Sequence, residues 1–166
     1  MIPYLGETVM PQRTGPYTVE CSATSRADPE VIFKHLAVAE AWSEWGSFPS
    51  RARRERAGAP TPNGIGAVRA IPPAREQVVE YDPPRHYAYV ALSGLPVKEY
   101  RADVTLVPRG LETLIRWEGS FEPRYAGTGG LIRVLLNRAL SSFARRVAHH
   151  SEHCEPGCPA RLPDVL

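Results

Sequence analysis

Lysine is almost missing from this chain: Lys34 and Lys98 are the only two, and arginine supplies the rest of the 20 basic residues. Set against 18 acidic residues, the net charge is +2. So small a balance argues against nucleic acid as a partner, which calls for a strongly basic surface. The arginine bias reads as the codon usage of a GC-rich genome. Cysteine is scarce too, at three (Cys21, Cys154 and Cys158). That is too few for a secreted disulfide scaffold. No apolar run approaches the ~18 residues of a membrane-spanning helix. Residues 1–15 lack a charged start followed by an apolar stretch, so they do not read as a secretory signal. A reducing cytoplasm is the expected compartment.

What is present fits one folded domain. The chain has 166 residues, 43% of them hydrophobic and 23% charged, enough to bury a core without cross-links. Proline (17) and glycine (13) are abundant and fall between short apolar runs. That is the punctuation of an antiparallel β protein. Residues 1–15 read as an N-terminal extension, 16–153 as the folded domain, and 154–166 as an irregular, proline-bearing tail.

Along the chain, residues 17–23 alternate, with Tyr17, Val19, Cys21 and Ala23 on one face. Asp28-Pro29-Glu30 carries a helix start: an acceptor side chain, a proline suited to the first turn, and an acid at the positive end of the dipole. Val31, Ile32, Leu36 and Ala37 continue it, and residues 39–45 form a second short helix before Gly46. Six strands follow, at 51–57, 65–71, 75–81, 85–92, 98–107 and 111–121. Short connections predict that sequence neighbours pair as an antiparallel meander. A turn at Arg109-Gly110 places Arg101 opposite Glu118 and Asp103 opposite Arg116 on a wet face. Tyr100, Ala102, Val104 and Leu106 then share the dry face with Thr113, Ile115, Trp117 and Gly119. The last element is a helix over 131–151, roughly 30 Å long at 1.5 Å per residue. Its apolar stripe is Ile132, Leu135, Leu136, Ala139, Leu140, Phe143 and Val147. It is the one element large enough to cover the dry sheet face.

Several stretches carry a family resemblance. They are Asp28-Pro29-Glu30-Val31-Ile32-Phe33, Trp42 with Trp45-Gly46, Gly64-Ile65-Gly66-Ala67-Val68-Arg69, and Tyr81-Asp82-Pro83-Pro84-Arg85. Ser93-Gly94-Leu95-Pro96-Val97 with Tyr100-Arg101-Ala102, Thr113-Leu114-Ile115-Arg116-Trp117 and Gly127-Thr128-Gly129-Gly130 follow. In this order and spacing, over residues 17–150, the chain resembles the START-like SRPBCC superfamily, in particular its polyketide cyclase/dehydrase and lipid transport-like members. The resemblance implies an α+β helix-grip fold. A curved seven-stranded antiparallel sheet would wrap around the long C-terminal helix, with two short helices after the first strand. It also implies an elongated, mostly apolar cavity for lipids, polyketides or hormones, with no shared catalytic set.

On that frame, Trp117, Tyr100 and Phe121 on the dry face and Phe143 on the helix are candidate cavity walls, or plain core. Arg69 anchors a polar ligand group if it points inward. The reading favours the surface for it, with a pairing to Glu76 or Glu80 as another account. Tyr81 falls opposite His86 if Pro83-Pro84 make the turn, which gives an acid/base pair or a cross-strand aromatic pair. His149, His150, His153, Cys154 and Cys158 gather at the helix end, where such groups can ligate zinc. The HExxH and CxxC patterns are absent, and the reading there is a frayed helix end with no metal. No phosphate loop, dinucleotide fingerprint or nucleophile triad is present.

The expected function is binding of a hydrophobic small molecule (lipid, fatty acid or polyketide-like) between sheet and helix. Arg69 or Tyr81 would orient its polar end, and no cofactor is needed. One alternative is a polyketide cyclase, aromatase or dehydratase-like enzyme in the same cavity. Another is a protein-interaction module like the Hsp90-activator branch. The expected assembly is a monomer or homodimer.

Overall fold

The computed structural model describes residues 15–163. Most of the expected N-terminal extension and the last three residues of the tail lie outside them. Nine residues, Tyr17–Ser25, form β1, whose burial alternates as its sequence does. The first helix, α1, is Pro29–Ala37. Asp28 caps it through its backbone, its carbonyl accepting from the amides of Val31 and Ile32, and its side chain makes no capping bond. A 3-10 turn at Ala39–Ala41 leads into α2, Trp42–Trp45.

Six strands follow: β2 (Arg53–Arg56), β3 (Val68–Ile71), β4 (Ala74–Asp82), β5 (His86–Ser93), β6 (Val97–Arg109) and β7 (Glu112–Pro123). The seven-stranded sheet has the order β1-β7-β6-β5-β4-β3-β2, and every pairing is antiparallel. The meander runs from β2 to β7, and β1 closes against β7.

The long helix α3, Gly129–His153, lies mainly across β1 and β7. It does not cover the dry face alone. Phe33 of α1 and Trp42 of α2 pack against tyrosines of β4 and β5, so the two short helices share that work. Ile132, Leu140, Ala144 and Val147 are the buried stripe of α3, but Leu135 is 54% exposed beside Leu131 and Val134. It was expected inside and points out instead. The chain past α3 packs back on the fold: Cys154, Cys158 and Ala160 bury themselves with Val38 and Ala41.

The β6–β7 hairpin departs from the expected register by two residues. The turn is Gly110-Leu111, and Arg109 pairs with Glu112. Gly110 has φ +63, the conformation that a two-residue II′ turn reserves for glycine at its first position. A shift of two leaves every side chain on its expected face. Tyr100, Ala102, Val104 and Leu106 are buried with Thr113, Ile115 and Trp117. The cross-strand partners change: Arg101 faces Ser120, and Asp103 faces Glu118. The two expected charge pairs are not formed as direct neighbours.

The expected wet face is not all wet. Arg101 is 7% exposed, Asp103 3% and His86 3%. Arg101 donates to Asp103 from Nε at 2.9 Å and to Glu80 from Nη2 at 2.6 Å. His86 Nε2 lies 3.0 Å from Asp103 and 3.1 Å from Glu80. Burial pushes the Asp103 carboxyl up, but hydrogen bonds with His86 and Arg101 outweigh it and hold the group below its ordinary value.

Candidate functional site

Strand alternation and the two short helices build one aromatic interior. Tyr87 and Tyr89 of β5 pair with Val104 and Ala102 of β6, so they point to the same side as Trp117, which pairs with Val104 across β6–β7. Trp42 enters from α2 and is the hub. Its ring lies 5.9 Å from Trp117, 5.7 Å from Phe143 and 6.4 Å from Tyr89, each near edge-to-face. Trp117 and Phe143 also meet directly at 5.9 Å, and Tyr100 meets Tyr89 at 6.4 Å. Such contacts suit rings whose faces are negative and edges positive. Of the expected wall residues, Tyr100, Trp117 and Phe143 therefore converge. Phe121 is buried further along and stacks on Tyr17 at 5.3 Å.

Arg69 does not lie on the surface. It is 1% exposed, in the middle of this interior. Its guanidinium sits 4.6 Å from the Trp42 ring centre, 5.1 Å from Tyr87 and 4.8 Å from Tyr89. Its Nε and Nη2 reach Glu76 at 3.0 and 2.9 Å, and Nη1 donates to the Leu36 carbonyl at 2.7 Å. The expected Glu76 pairing is the correct account of it. A charge tolerates such burial only with a partner and further hydrogen bonds. Burial pushes the Glu76 carboxyl up, and Arg69 offsets part of that.

Three phenols surround this pair. Burial pushes the Tyr87 hydroxyl up to about 12, with Arg69 opposing. Burial raises Tyr89 and Tyr100 as well, with the Tyr100–Glu76 proximity adding to it. All three stay protonated at neutral pH. Two buried donors here lack a hydrogen-bond partner: the Tyr87 hydroxyl and the Trp117 indole N–H. The latter lies beside the Tyr89 hydroxyl without closing a bond of good geometry.

Tyr81 and His86 are not partners. Asp82 pairs with His86, and Tyr81 with Tyr87. The turn therefore spans Pro83-Pro84-Arg85, closed by the Arg85 amide on the Asp82 carbonyl at 2.8 Å. One residue more than expected puts Tyr81 and His86 on opposite faces. Tyr81 joins the interior, 5.2 Å from Phe33 and 6.3 Å from Tyr87. His86 joins the Arg101 cluster. Outside this interior, a groove of about 320 Å³ runs between β1 and α3, lined in part by Ser22, Thr24, Arg145 and Glu152. It contains none of the expected ligand-contact residues; of the helix-end group, His149 lines it.

The sequence reading missed Trp42, Tyr87 and Tyr89 as site residues. The alternation of Tyr87, Tyr89 and Ala91 on β5 was the available signal for two of them. Trp42 stands in a stretch that carries the family resemblance, but its place at the hub depends on how α2 folds back over the sheet.

Comparison with known proteins agrees with this architecture. A START superfamily protein from Mycobacterium smegmatis superposes with a TM-score of 0.71 at 14% identity, covering 83% of this chain and 99% of that one. A Thermobifida fusca protein gives 0.62 at 19% identity, covering 80% and 93%. Norcoclaurine synthase from Thalictrum flavum, in a complex with dopamine and hydroxybenzaldehyde, gives 0.61 at 13% identity, covering 84% and 88%. At these identities the likeness is one of fold. No curated protein sequence matches the chain. Among the described residues, no helix is long and apolar enough to cross a membrane. The sequence profile described as polyketide cyclase / dehydrase and lipid transport matches residues 16–152, and the chain belongs to that family, within the START-like SRPBCC superfamily.

Proposed function

We propose that the chain binds a hydrophobic small molecule, such as a lipid, fatty acid or polyketide-like compound, between the sheet and α3. Trp117, Tyr100, Phe121 and Phe143 supply apolar contact, Tyr81 contributes at the Phe33 end, and the polar end of the ligand lies toward Tyr87 and Arg69. One observation carries this reading: the unpartnered Tyr87 hydroxyl, buried in an aromatic interior. Leaving such a donor unsatisfied costs about 1–3 kcal/mol. A ligand oxygen accepting from Tyr87 removes that cost. Arg69 is already committed to Glu76 and Leu36, so it acts through its positive field.

The test is native mass spectrometry of the freshly purified protein, with denaturing extraction of any released molecule, followed by titration with a fluorescent fatty acid. A co-purified apolar compound and saturable uptake are expected. Trp117→Ala should weaken uptake, and Tyr87→Phe should weaken it about 2–10-fold, the worth of one hydrogen bond. A clean apo mass together with no uptake would overturn the reading.

A cyclase or dehydratase-like enzyme is the second reading, and the three protonated phenols around Arg69 favour it. Such donors polarise a carbonyl whose charge develops during reaction. Turnover of a poly-ketone lost in both Tyr87→Phe and Tyr89→Phe, with uptake retained, would move the weight to it.

A further inference from the structure

We infer that His35, His150, Cys154 and Cys158 form a structural zinc-type site that ties the end of α3 to α1. One donor atom from each of the four residues lies within 4.8 Å of all the others. His150 and Cys154 stand one helical turn apart at the end of α3, and Cys158 follows in the next loop. The fourth donor, His35, comes from α1, separated from Cys158 by 123 positions in the chain. The helix-end sequence shows only the C-terminal donors; the fold brings His35 to them from α1.

The geometry suits a tetrahedral ion. Cys158 Sγ lies 3.6 Å from His35 Nε2 and 3.6 Å from His150 Nε2. Metal distances of ~2.3 Å to sulfur and ~2.0–2.1 Å to imidazole nitrogen, at tetrahedral angles, put the S···N edge at about 3.5–3.6 Å. A single thiol proton cannot serve both imidazoles, whereas one cation serves all four donors. His35 Nδ1 is 2.7 Å from the Val31 carbonyl. That bond places the proton on Nδ1 and turns the Nε2 lone pair toward the sulfurs, as the outer shell of a metal-bound histidine does. Cys154 and Cys158 are free thiols and both are buried.

Two thiolates and two imidazoles favour zinc over magnesium or calcium. The pair of thiolates also neutralises a divalent ion, which suits a buried position. Four protein donors leave no open coordination place, so the role is structural. The other donor group among the described residues, Glu80, His86 and Asp103, differs in kind: Arg101 already occupies its carboxylates. His149 and His153 stack on each other at 4.5 Å and are not members of the four-donor site.

The experiment uses the full chain, purified under reducing conditions without chelator. Metal content is measured first. The metal is then stripped, the thiols are counted as reduced, and Co²⁺ is titrated anaerobically, followed by Zn²⁺ competition. One zinc per chain is expected, with the strong visible absorption of tetrahedral cobalt and a thiolate-to-cobalt charge-transfer band. Zinc should raise the melting temperature, since it binds only the folded chain at this site. Cys154→Ser and His150→Gln should each lower affinity at least about 10-fold, the smallest loss seen when even an outer-shell partner is removed. His149→Gln should bind as the parent does. Circular dichroism verifies that each variant is folded. A reduced, folded chain that takes up no cobalt, or takes it up without the thiolate band, would overturn the inference. So would unchanged affinity in a folded Cys154→Ser variant.

Discussion

Arg101 sits between Glu80 of a neighbouring strand region and Asp103 of its own strand, with its side chain 8% exposed. Read along β6, its alternation with Tyr100 and Ala102 marks it as solvent-facing. Nothing in one strand's sequence shows that Glu80 and His86 arrive beside it from two other strands. An exposed pair contributes about 0–1 kcal/mol, but breaking a buried one costs about 3–5 kcal/mol. Arg101→Glu sets a third carboxylate against Glu80 and Asp103, so urea unfolding should register a loss in that higher range. A loss under 1 kcal/mol would mean that this cluster is screened by water. The same cluster has a pH signature. The folded Asp103 carboxyl is held below its ordinary value, so the folded state binds fewer protons than the unfolded state in acid. Its contribution is complete above the unfolded value of about 3.9 and is lost as pH falls through the lower folded value. Asp103→Asn should be less stable than the parent at neutral pH, and the difference should shrink in acid. A constant difference between pH 7 and pH 3 would separate Asp103 from the acid response.

At the level of the element, face assignment survives errors that register does not. The β6–β7 hairpin keeps its dry face through a two-residue slip because the strand period is two. Choosing between Arg109-Gly110 and Gly110-Leu111 needs the backbone angle of Gly110, which the letters alone do not carry. The expected Arg101–Glu118 and Asp103–Arg116 pairs are lost in that slip, whereas the hydrophobic pattern still gives the buried face. The β4–β5 turn makes the opposite case: a slip of one residue moved His86 to the other face, away from Tyr81. Close approach of α3 to the sheet is another element property. A Cβ built on Gly119 would lie 2.9 Å from Val19 Cγ2 and 3.2 Å from Leu140 Cδ1. Gly119→Ala should therefore push α3 from β1 and β7 and cost about 1–3 kcal/mol, as overpacking does. Chemical denaturation measures it. Equal or higher stability in the variant would show that the helix yields freely. The order of elements, the alternating faces and the long helix were legible in the sequence. The outward turn of Leu135 was not, because α3 leans on β1 and β7 and leaves that flank uncovered.

Across the whole molecule, α1 is the piece that several distant segments hold in place. The Leu36 carbonyl at its end accepts from Arg69 of β3 at 2.7 Å and from the Trp42 indole at 2.9 Å. The His35 carbonyl accepts from Trp45 at 3.3 Å, and the His35 ring meets the segment after α3. Arg69 is thus both the polar centre of the interior and a tie between sheet and helix. Its burial was hidden in the sequence, where one arginine among many looks like a surface charge. Only the fold brings Glu76, the Leu36 carbonyl and three aromatic rings around it. Removing it should act on two levels. Arg69→Ala leaves Glu76 buried without its partner, for a loss of about 3–5 kcal/mol, and should raise hydrogen exchange in α1 above that of β6 and β7. Arg69→Met combined with Glu76→Leu removes both charges and fills similar volume, so it should recover most of the stability. Exchange in α1 should stay elevated in the double variant, because the Leu36 carbonyl still lacks its arginine donor. If single and double variants lost the same stability, the unpaired carboxylate would not be the source of the cost. If α1 exchanged as in the parent, Trp42 and Trp45 alone would suffice to hold the helix against the sheet.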